Sequence, residues 1–166
     1  MTAALPLTRA DLDRLAVQSW EKLKAEVERF SDVEMAQPGV VGEWSLKDLL
    51  GHIGFWAEFM AGNLRAIAAG REDELRSPGD EAVVDQWNDR EWRLRRDRPL
   101  AAIKEEWLAG FQSARKALAQ VPEAKLHEKI AERTPAERFA GDTFGHFEEH
   151  LGQIRAWRRQ LETTEA

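Results

Sequence analysis

Apolar residues recur at steps of three and four along four long stretches of the chain, the spacing that predicts amphipathic α-helices. The predicted helices cover residues 8–30, 45–69, 99–121 and 142–159. Each carries one apolar stripe that must be buried against another element. No stretch shows the convincing alternation of a half-buried β-strand. The pattern therefore predicts an all-α fold, a four-helix bundle.

Polar residues at the starts of these stretches predict where the helices begin. Thr8 with Asp11, and Ser45 with Asp48, have the spacing of a capping box, in which the two side chains satisfy backbone N–H groups of the first turn. Asp142 is the expected N-cap of the last helix, where a carboxylate complements the positive helix end.

The segments between the predicted helices differ in length. Residues 31–43 and 122–140 are expected to be loops, because they lack helical periodicity and the first contains Pro-Gly and Gly signals. Residues 70–98 form a long connection that is expected to contain a short helix over 81–96, with charges of alternating sign on a solvated face.

The histidines also bear on topology. His146 and His150 lie one turn apart on the last helix, to one side of its apolar stripe, and His52 lies to the same side of the stripe on the second helix. Same-sided positions on neighbouring helices meet only when the helices are antiparallel. That arrangement requires an up-down-down-up bundle, with the long connection crossing over between the second and third helices.

Length, charge and composition narrow the class of protein. The 166 residues are 43% hydrophobic and 33% charged, as expected for a single globular domain over residues 1–166. The net charge of −6 offers no basic field, so no nucleic-acid partner is expected. No apolar run reaches the ~20 residues of a membrane span and no signal peptide is recognisable, which favours the cytoplasm. The absence of cysteine means that any metal must be held by His, Asp or Glu.

Two imidazoles at i and i+4 can point at a single cation, and a third from another helix would complete a metal site. The candidate ligands are His52, His146 and His150, and three neutral imidazoles fit Zn²⁺, Ni²⁺ or Fe²⁺. Solvated or hydrogen-bonded histidines without a ligand role are the alternative. His127 lies in a charged segment without apolar periodicity and is expected to be exposed and not a ligand.

Two motifs resemble those of a known family. The first is GEWSLKDLLGHIGFW, which overlaps residues 39–52, where the chain matches an entry pattern of GxxGEWSxKDxLxH. The second is HFEEHLGQIRAW in the final helix, and Trp87-Asn88 lies between the two. Together they resemble the DinB-like four-helix bundle superfamily, and within it the ClbS/DfsB family, over nearly the whole chain.

The resemblance implies an up-down-down-up bundle in which one metal ligand comes from the second helix and two come from the fourth. The matching positions are His52, His146 and His150. It further implies a metal-dependent hydrolase or thiol transferase that acts on a small electrophilic compound, in detoxification or self-resistance, with a low-molecular-weight thiol as a further cofactor.

Aromatic residues share the histidine side of the helices. Trp56, Phe59 and Trp157 are the candidate walls of a substrate pocket, and ordinary core packing is the alternative for all three. Glu148 and Glu149 project away from the histidines and are expected to be solvated. No catalytic residue is assigned.

Two other classes of function remain open. A ClbS/DfsB-type protein could bind and sequester a small molecule without a metal and without turnover. A structural homodimer could instead use the aromatic and histidine-bearing side of the helices as its interface.

Overall fold

Four long helices build the core of the computed structural model, which describes residues 6–164. They are α1 (Arg9–Val27), α3 (Leu46–Ala68), α5 (Leu100–Gln120) and α7 (His146–Thr164). Their apolar stripes meet in one hydrophobic core, so the predicted all-α fold is confirmed.

Both predicted capping boxes are present. The hydroxyl of Thr8 accepts a hydrogen bond from the backbone N–H of Asp11 at 3.1 Å, and Ser45 accepts one from Asp48 at 3.1 Å. In return, each aspartate accepts a hydrogen bond from the backbone N–H of the capping residue. These bonds fix the first residue of α1 and α3, and therefore the height of His52 in the bundle.

The direction of each helix follows from its cross-helix contacts. Ser19 of α1 hydrogen-bonds Glu148 of α7, and Glu26, later in α1, pairs with Arg158, later in α7. Helices α1 and α7 are therefore parallel. By contrast, Asp13 of α1 pairs with Arg115 late in α5, so α1 and α5 are antiparallel.

The two middle helices are parallel, as the crossover requires. Near the start of the two helices, Gly51 of α3 lies beside Ile103 of α5. Towards their ends, Arg65 of α3 donates a hydrogen bond to Ser113 of α5. Together with the parallel α1 and α7, this gives the predicted up-down-down-up bundle. The inference from histidine placement is confirmed.

The connection over residues 69–99 contains the expected short helix, α4 (Glu81–Arg95). Arg95 holds it against the bundle: its guanidinium pairs with Glu106 of α5 at 2.6 Å and its aliphatic stem lies beside Gly51 of α3. A cation–π contact with Phe55 adds to this anchor.

The segment predicted as a loop over residues 31–43 is structured. It contains a one-turn helix, α2 (Asp32–Met35), followed by a small antiparallel hairpin of β1 (Pro38–Val41) and β2 (Trp44–Ser45). Ser45 ends the hairpin and caps α3, so the hairpin leads directly into the helix that carries His52. Strands this short leave too little sequence for a period of two to be recognised.

The expected N-cap at Asp142 is wrong. Helix α6 (Pro135–Ala140) begins earlier, where Thr134 and Glu137 form a capping box and Pro135 occupies the first turn. The chain then passes through a π-helical turn (Gly141–Gly145) into α7 without leaving the helical path. Asp142 therefore lies inside a continuous helical segment, and its carboxyl group faces the interior of a cleft instead of capping a helix end.

None of the helices within residues 6–164 has the length and apolar character needed to cross a membrane.

Candidate functional site

Three imidazoles converge between α3 and α7. Nε2 of His146 lies 3.0 Å from Nε2 of His52 and 2.7 Å from Nε2 of His150. One ligand nitrogen from each ring lies within 4.8 Å of the others. The structure thus brings together all three histidines that the sequence singles out, although His52 precedes His146 by 94 positions and His150 by 98.

Burial keeps these rings neutral near pH 7. Burial, together with the neighbouring His150, lowers the pKa of His52 to about 3. Burial likewise puts the pKa of His146 well below its ordinary value and lowers that of His150. A neutral imidazole is the protonation state that binds a metal.

Gln153 fixes the orientation of one ring. Its side-chain oxygen lies 2.6 Å from Nδ1 of His150. Because a carbonyl oxygen only accepts, Nδ1 donates its proton and the lone pair on Nε2 points towards the other two histidines. On the third ring, Nδ1 of His146 is buried and has no hydrogen-bond partner among the described residues.

A cleft of about 800 Å³ opens beside the histidines, a size typical of small-molecule sites. His52 and His146 lie in its wall, with Trp56 and Phe59. The rings of Trp56 and Phe59 are nearly perpendicular, with their centroids 5.3 Å apart. The indole N–H of Trp56 donates a hydrogen bond to the side-chain oxygen of Asn88 in α4 at 2.9 Å. Helix α4 therefore holds one aromatic wall in place.

Trp157, the third expected pocket residue, lies elsewhere. It is buried and stacks on Phe30, with ring centroids 5.1 Å apart, close to Gly39 of the hairpin. Seven residues separate it from His150, which is roughly 10 Å along a helix. Trp157 shares the histidine face of α7 but is two turns away from the cleft.

Part of the cleft lining, called here the charged wall, consists of charged residues that the sequence did not suggest. It contains two acidic residues, Glu132 and Asp142, and three arginines, Arg76, Arg133 and Arg138. Burial raises the pKa of Asp142 to about 6, against the opposing effect of Arg133 and Arg138. The signal that could have found Asp142 is its spacing: it lies at i−4 from His146 and i−8 from His150, on the same line of the helix.

The other polar residues on or near these helices have structural roles or are exposed to solvent. Asn63 is buried and pairs with both backbone polar groups of Arg76, which fastens the crossover to α3. His127 is exposed, with its ring 2.8 Å from the carbonyl oxygen of Leu7. Glu148 and Glu149 are exposed, as expected.

The lowered histidine pKa values predict that the metal-free protein loses stability as the pH falls below about 6.5. Between that pH and the lowered values of the folded state, these histidines bind protons only when the chain unfolds, so acid favours unfolding. The raised pKa of Asp142 has the opposite effect between pH 3.8 and about 6, where the folded state binds a proton that the unfolded state does not. This is one group against three histidines. The expected result is a lower urea midpoint at pH 5 than at pH 7.5.

His52→Gln provides the matched comparison, because it removes the group with the pKa of about 3. The drop in midpoint between the two pH values should be smaller in this variant than in the wild type. An equal or larger drop would show that His52 is not buried in the neutral form.

Two solved structures share this fold. One is the colibactin self-resistance protein ClbS in complex with a double-stranded DNA, with a TM-score of 0.78 and 13% identity over 92% of this chain and 96% of that one. The other is an uncharacterised protein from Escherichia coli UTI89, with a TM-score of 0.80 and 13% identity over 96% and 97% of the two chains. At this level of identity the likeness is one of fold. No curated protein sequence matches the chain.

The ClbS complex overturns the expectation of no nucleic-acid partner, because a protein of the same fold was crystallised on double-stranded DNA. The exclusion rested on a net charge of −6, which is a sum over the whole chain. A sum of this kind says nothing about local fields, such as the one produced by Arg76, Arg133 and Arg138 at the cleft.

The sequence profile of the DinB superfamily matches residues 15–154, from the first helix to the histidine-bearing part of the last. The chain belongs to the DinB superfamily.

Proposed function

We propose that this protein is a metal-dependent hydrolase or thiol transferase that acts on a small electrophilic compound. The observation that carries the proposal is the convergence of His52, His146 and His150 beside a cleft of about 800 Å³, whose wall contains His52 and His146. Membership of the DinB superfamily and the likeness to a self-resistance protein agree with it.

The donor set fits a divalent transition ion such as Zn²⁺, Ni²⁺ or Fe²⁺ better than it fits a hydrogen-bond network. Nε2 of His146 has one lone pair or one proton, yet it faces two other ring nitrogens within 3.0 Å. A neutral imidazole nitrogen cannot satisfy both neighbours well, whereas a cation between the rings would use all three lone pairs. The hydrogen bond from His150 to Gln153 already orients the lone pair on Nε2 of His150 for this role.

Such an ion, when bound, would supply an open coordination position that activates a water or the sulfur of a low-molecular-weight thiol. Trp56 and Phe59 exclude water from one side of a compound in the cleft and give it an apolar surface to pack on. Asp142 lines the same cleft, and a carboxyl group with a pKa of about 6 can accept a proton from an attacking group near neutral pH. We assign Asp142 this role of general base.

A second candidate is sequestration without turnover, as a ClbS-type fold is also compatible with simple binding. The aromatic wall formed by Trp56 and Phe59, supported by Trp87 at 5.3 Å from Phe59, favours it. Turnover of a panel of electrophiles such as epoxides and activated esters, with and without thiol, separates the two. Catalysis lost on chelation and restored by added metal supports the enzyme; stoichiometric loss of the compound without turnover supports sequestration.

Gln153→Ala is expected to weaken metal affinity by roughly 10- to 100-fold, the usual cost of losing a hydrogen bond that orients a histidine ligand. The measurement is a metal titration against a competing chelator. Gln160→Ala, on the same helix but exposed and distant from the rings, is the control. Equal affinities in the two variants would mean that Gln153 does not orient His150.

A further inference from the structure

The charged wall of the cleft contains three guanidinium groups whose charges lack partners. Within residues 6–164, Arg76, Arg133 and Arg138 make no ion pair with a carboxylate. Most other arginines are paired, as Arg65 is with Glu58 and Arg115 with Asp13. The cleft is lined by these three cations and by two acidic residues, Glu132 and Asp142, so its lining keeps a net positive charge even when both carboxyl groups are ionised.

Arg138 is the most informative of the three, because it is only 9% exposed. One of its terminal nitrogens donates to the carbonyl oxygen of Ile130 at 3.0 Å, but its buried Nε has no hydrogen-bond partner among the described residues. Burial also lowers its pKa from the usual value. The carboxylates of Asp142, Glu132 and Glu137 oppose this lowering of the pKa without reversing it. A buried cation without an ion pair is costly, so a ligand that supplied a negative oxygen would relieve the cost.

The neighbouring residues hold Arg133 at the same wall. Ala131 adopts a left-handed backbone conformation, with φ of 56°, in a tight turn closed by the bridge between Ile130 and Arg133. The side chain of Arg133 donates to the carbonyl oxygen of Glu137 at 2.8 Å and lies against Gly141, at which a Cβ atom would come within 2.5 Å of it. Glycine at this position leaves room for the guanidinium.

Arg76 approaches from the crossover. Its backbone is fastened to Asn63, and its guanidinium lies over the ring of Phe59, 5.0 Å from the centroid. A planar guanidinium stacked in this way keeps its N–H edges free for an acceptor.

We propose that the cleft binds its small molecule through an anionic oxygen group, a carboxylate or a phosphate, held by Arg138, Arg133 and Arg76, in the same cleft that His52 and His146 line. This names the substrate class of the proposed function and rests on it. The anionic group would anchor one end of the compound, while the electrophilic end faces His52 and His146. Asp142 lines the same cleft and is one helical turn before His146, on the side of the reacting end.

A small ligand suits this site better than a nucleic-acid strand. Arg138 can be reached only by a group narrow enough to enter the cleft, since nine-tenths of its surface is covered. The aromatic wall of Trp56 and Phe59 also suits an apolar body attached to the anionic group.

The test is calorimetric titration of the zinc-loaded protein with succinate, with inorganic phosphate and with a short DNA duplex. We expect succinate or phosphate to bind with a stoichiometry near one, and the tighter of the two identifies the source of the anionic group. Arg138→Gln and Arg76→Gln should each weaken that binding about tenfold, the effect of one lost charged hydrogen bond. Arg159→Gln, exposed at the far end of α7, should leave it unchanged.

Arg76 is exposed, so its variant keeps the test valid if Arg138→Gln does not fold. The proposal is overturned if neither small anion binds, if the arginine variants bind as tightly as Arg159→Gln, or if only the DNA duplex binds and the same variants weaken it. His150→Ala should still bind the anion, because its arginines are intact; loss of anion binding in this variant would mean that the metal and not the arginines holds the anion. The metal content of the wild type separates the two proposals. Anion binding by a wild-type protein that holds no metal would support the anion site and contradict the metal-dependent function, whereas metal binding without anion binding would do the reverse.

Discussion

The His150→Ala variant is expected to lose nearly all the metal that the wild-type protein holds. Removing one of three nitrogen ligands leaves His52 and His146 on different helices, and two ligands rarely hold a divalent ion tightly. The loss in affinity should exceed the roughly 10- to 100-fold that a missing supporting hydrogen bond costs. After dialysis against chelator and reconstitution with Zn²⁺, Ni²⁺ or Fe²⁺, elemental analysis should find close to one equivalent in the wild type.

His127→Ala is the matched control, because it makes the same substitution at an exposed histidine. Its metal content should equal that of the wild type, and circular dichroism should show that both variants fold. Full occupancy in His150→Ala would refute the assignment of this residue as a ligand. Loss of metal from His127→Ala would place the site elsewhere.

Most of the fold could be predicted because helical periodicity is a local signal. The stripe that begins at Leu12 and the capping box at Ser45 depend only on residues within a few turns of one another. Even the direction of the crossover followed from such local patterns, through the side of each helix on which the histidines lie. The three histidines were found for the same reason, since each occupies a definable position on a long helix.

The charged half of the cleft escaped prediction because its residues lie where no period is visible. Arg133 and Arg138 belong to a segment that reads as a charged loop, and only the fold turns it against α3 and buries Arg138. The burial of a charged side chain depends on which elements cover it, and no local pattern encodes that. Asp142 was misassigned because an aspartate before an apolar helical stripe has the usual appearance of an N-cap.

Trp157 shows the limit of a helical wheel. The wheel gives the angle of a residue about the helix axis but ignores its height along that axis. Trp157 has the correct angle, yet at its height the neighbours are Phe30 and Gly39 instead of the cleft. Angle and height are both needed to assign a pocket residue.

Gly110→Ala is expected to destabilise the protein by about 3 kcal/mol, the upper end of the usual cost of overpacking a core. A Cβ atom at this position would lie 2.6 Å from the backbone oxygen of Gly54, because α3 and α5 pack in direct contact there. Backbone cannot move aside as a flexible side chain can, so the two helices must separate. Since α3 carries His52, that separation should also weaken metal affinity.

Gly152→Ala makes the same substitution in the interior of another long helix, α7, where nothing lies within 4 Å of the added Cβ atom. There the lower backbone entropy cost of alanine should stabilise the protein by roughly 0.5–1 kcal/mol. The two variants should therefore shift the urea midpoint in opposite directions at an unchanged m-value. Stabilisation by both would show that α3 and α5 are farther apart than the structure places them, and the position of His52 relative to α7 would then have to be revised with them.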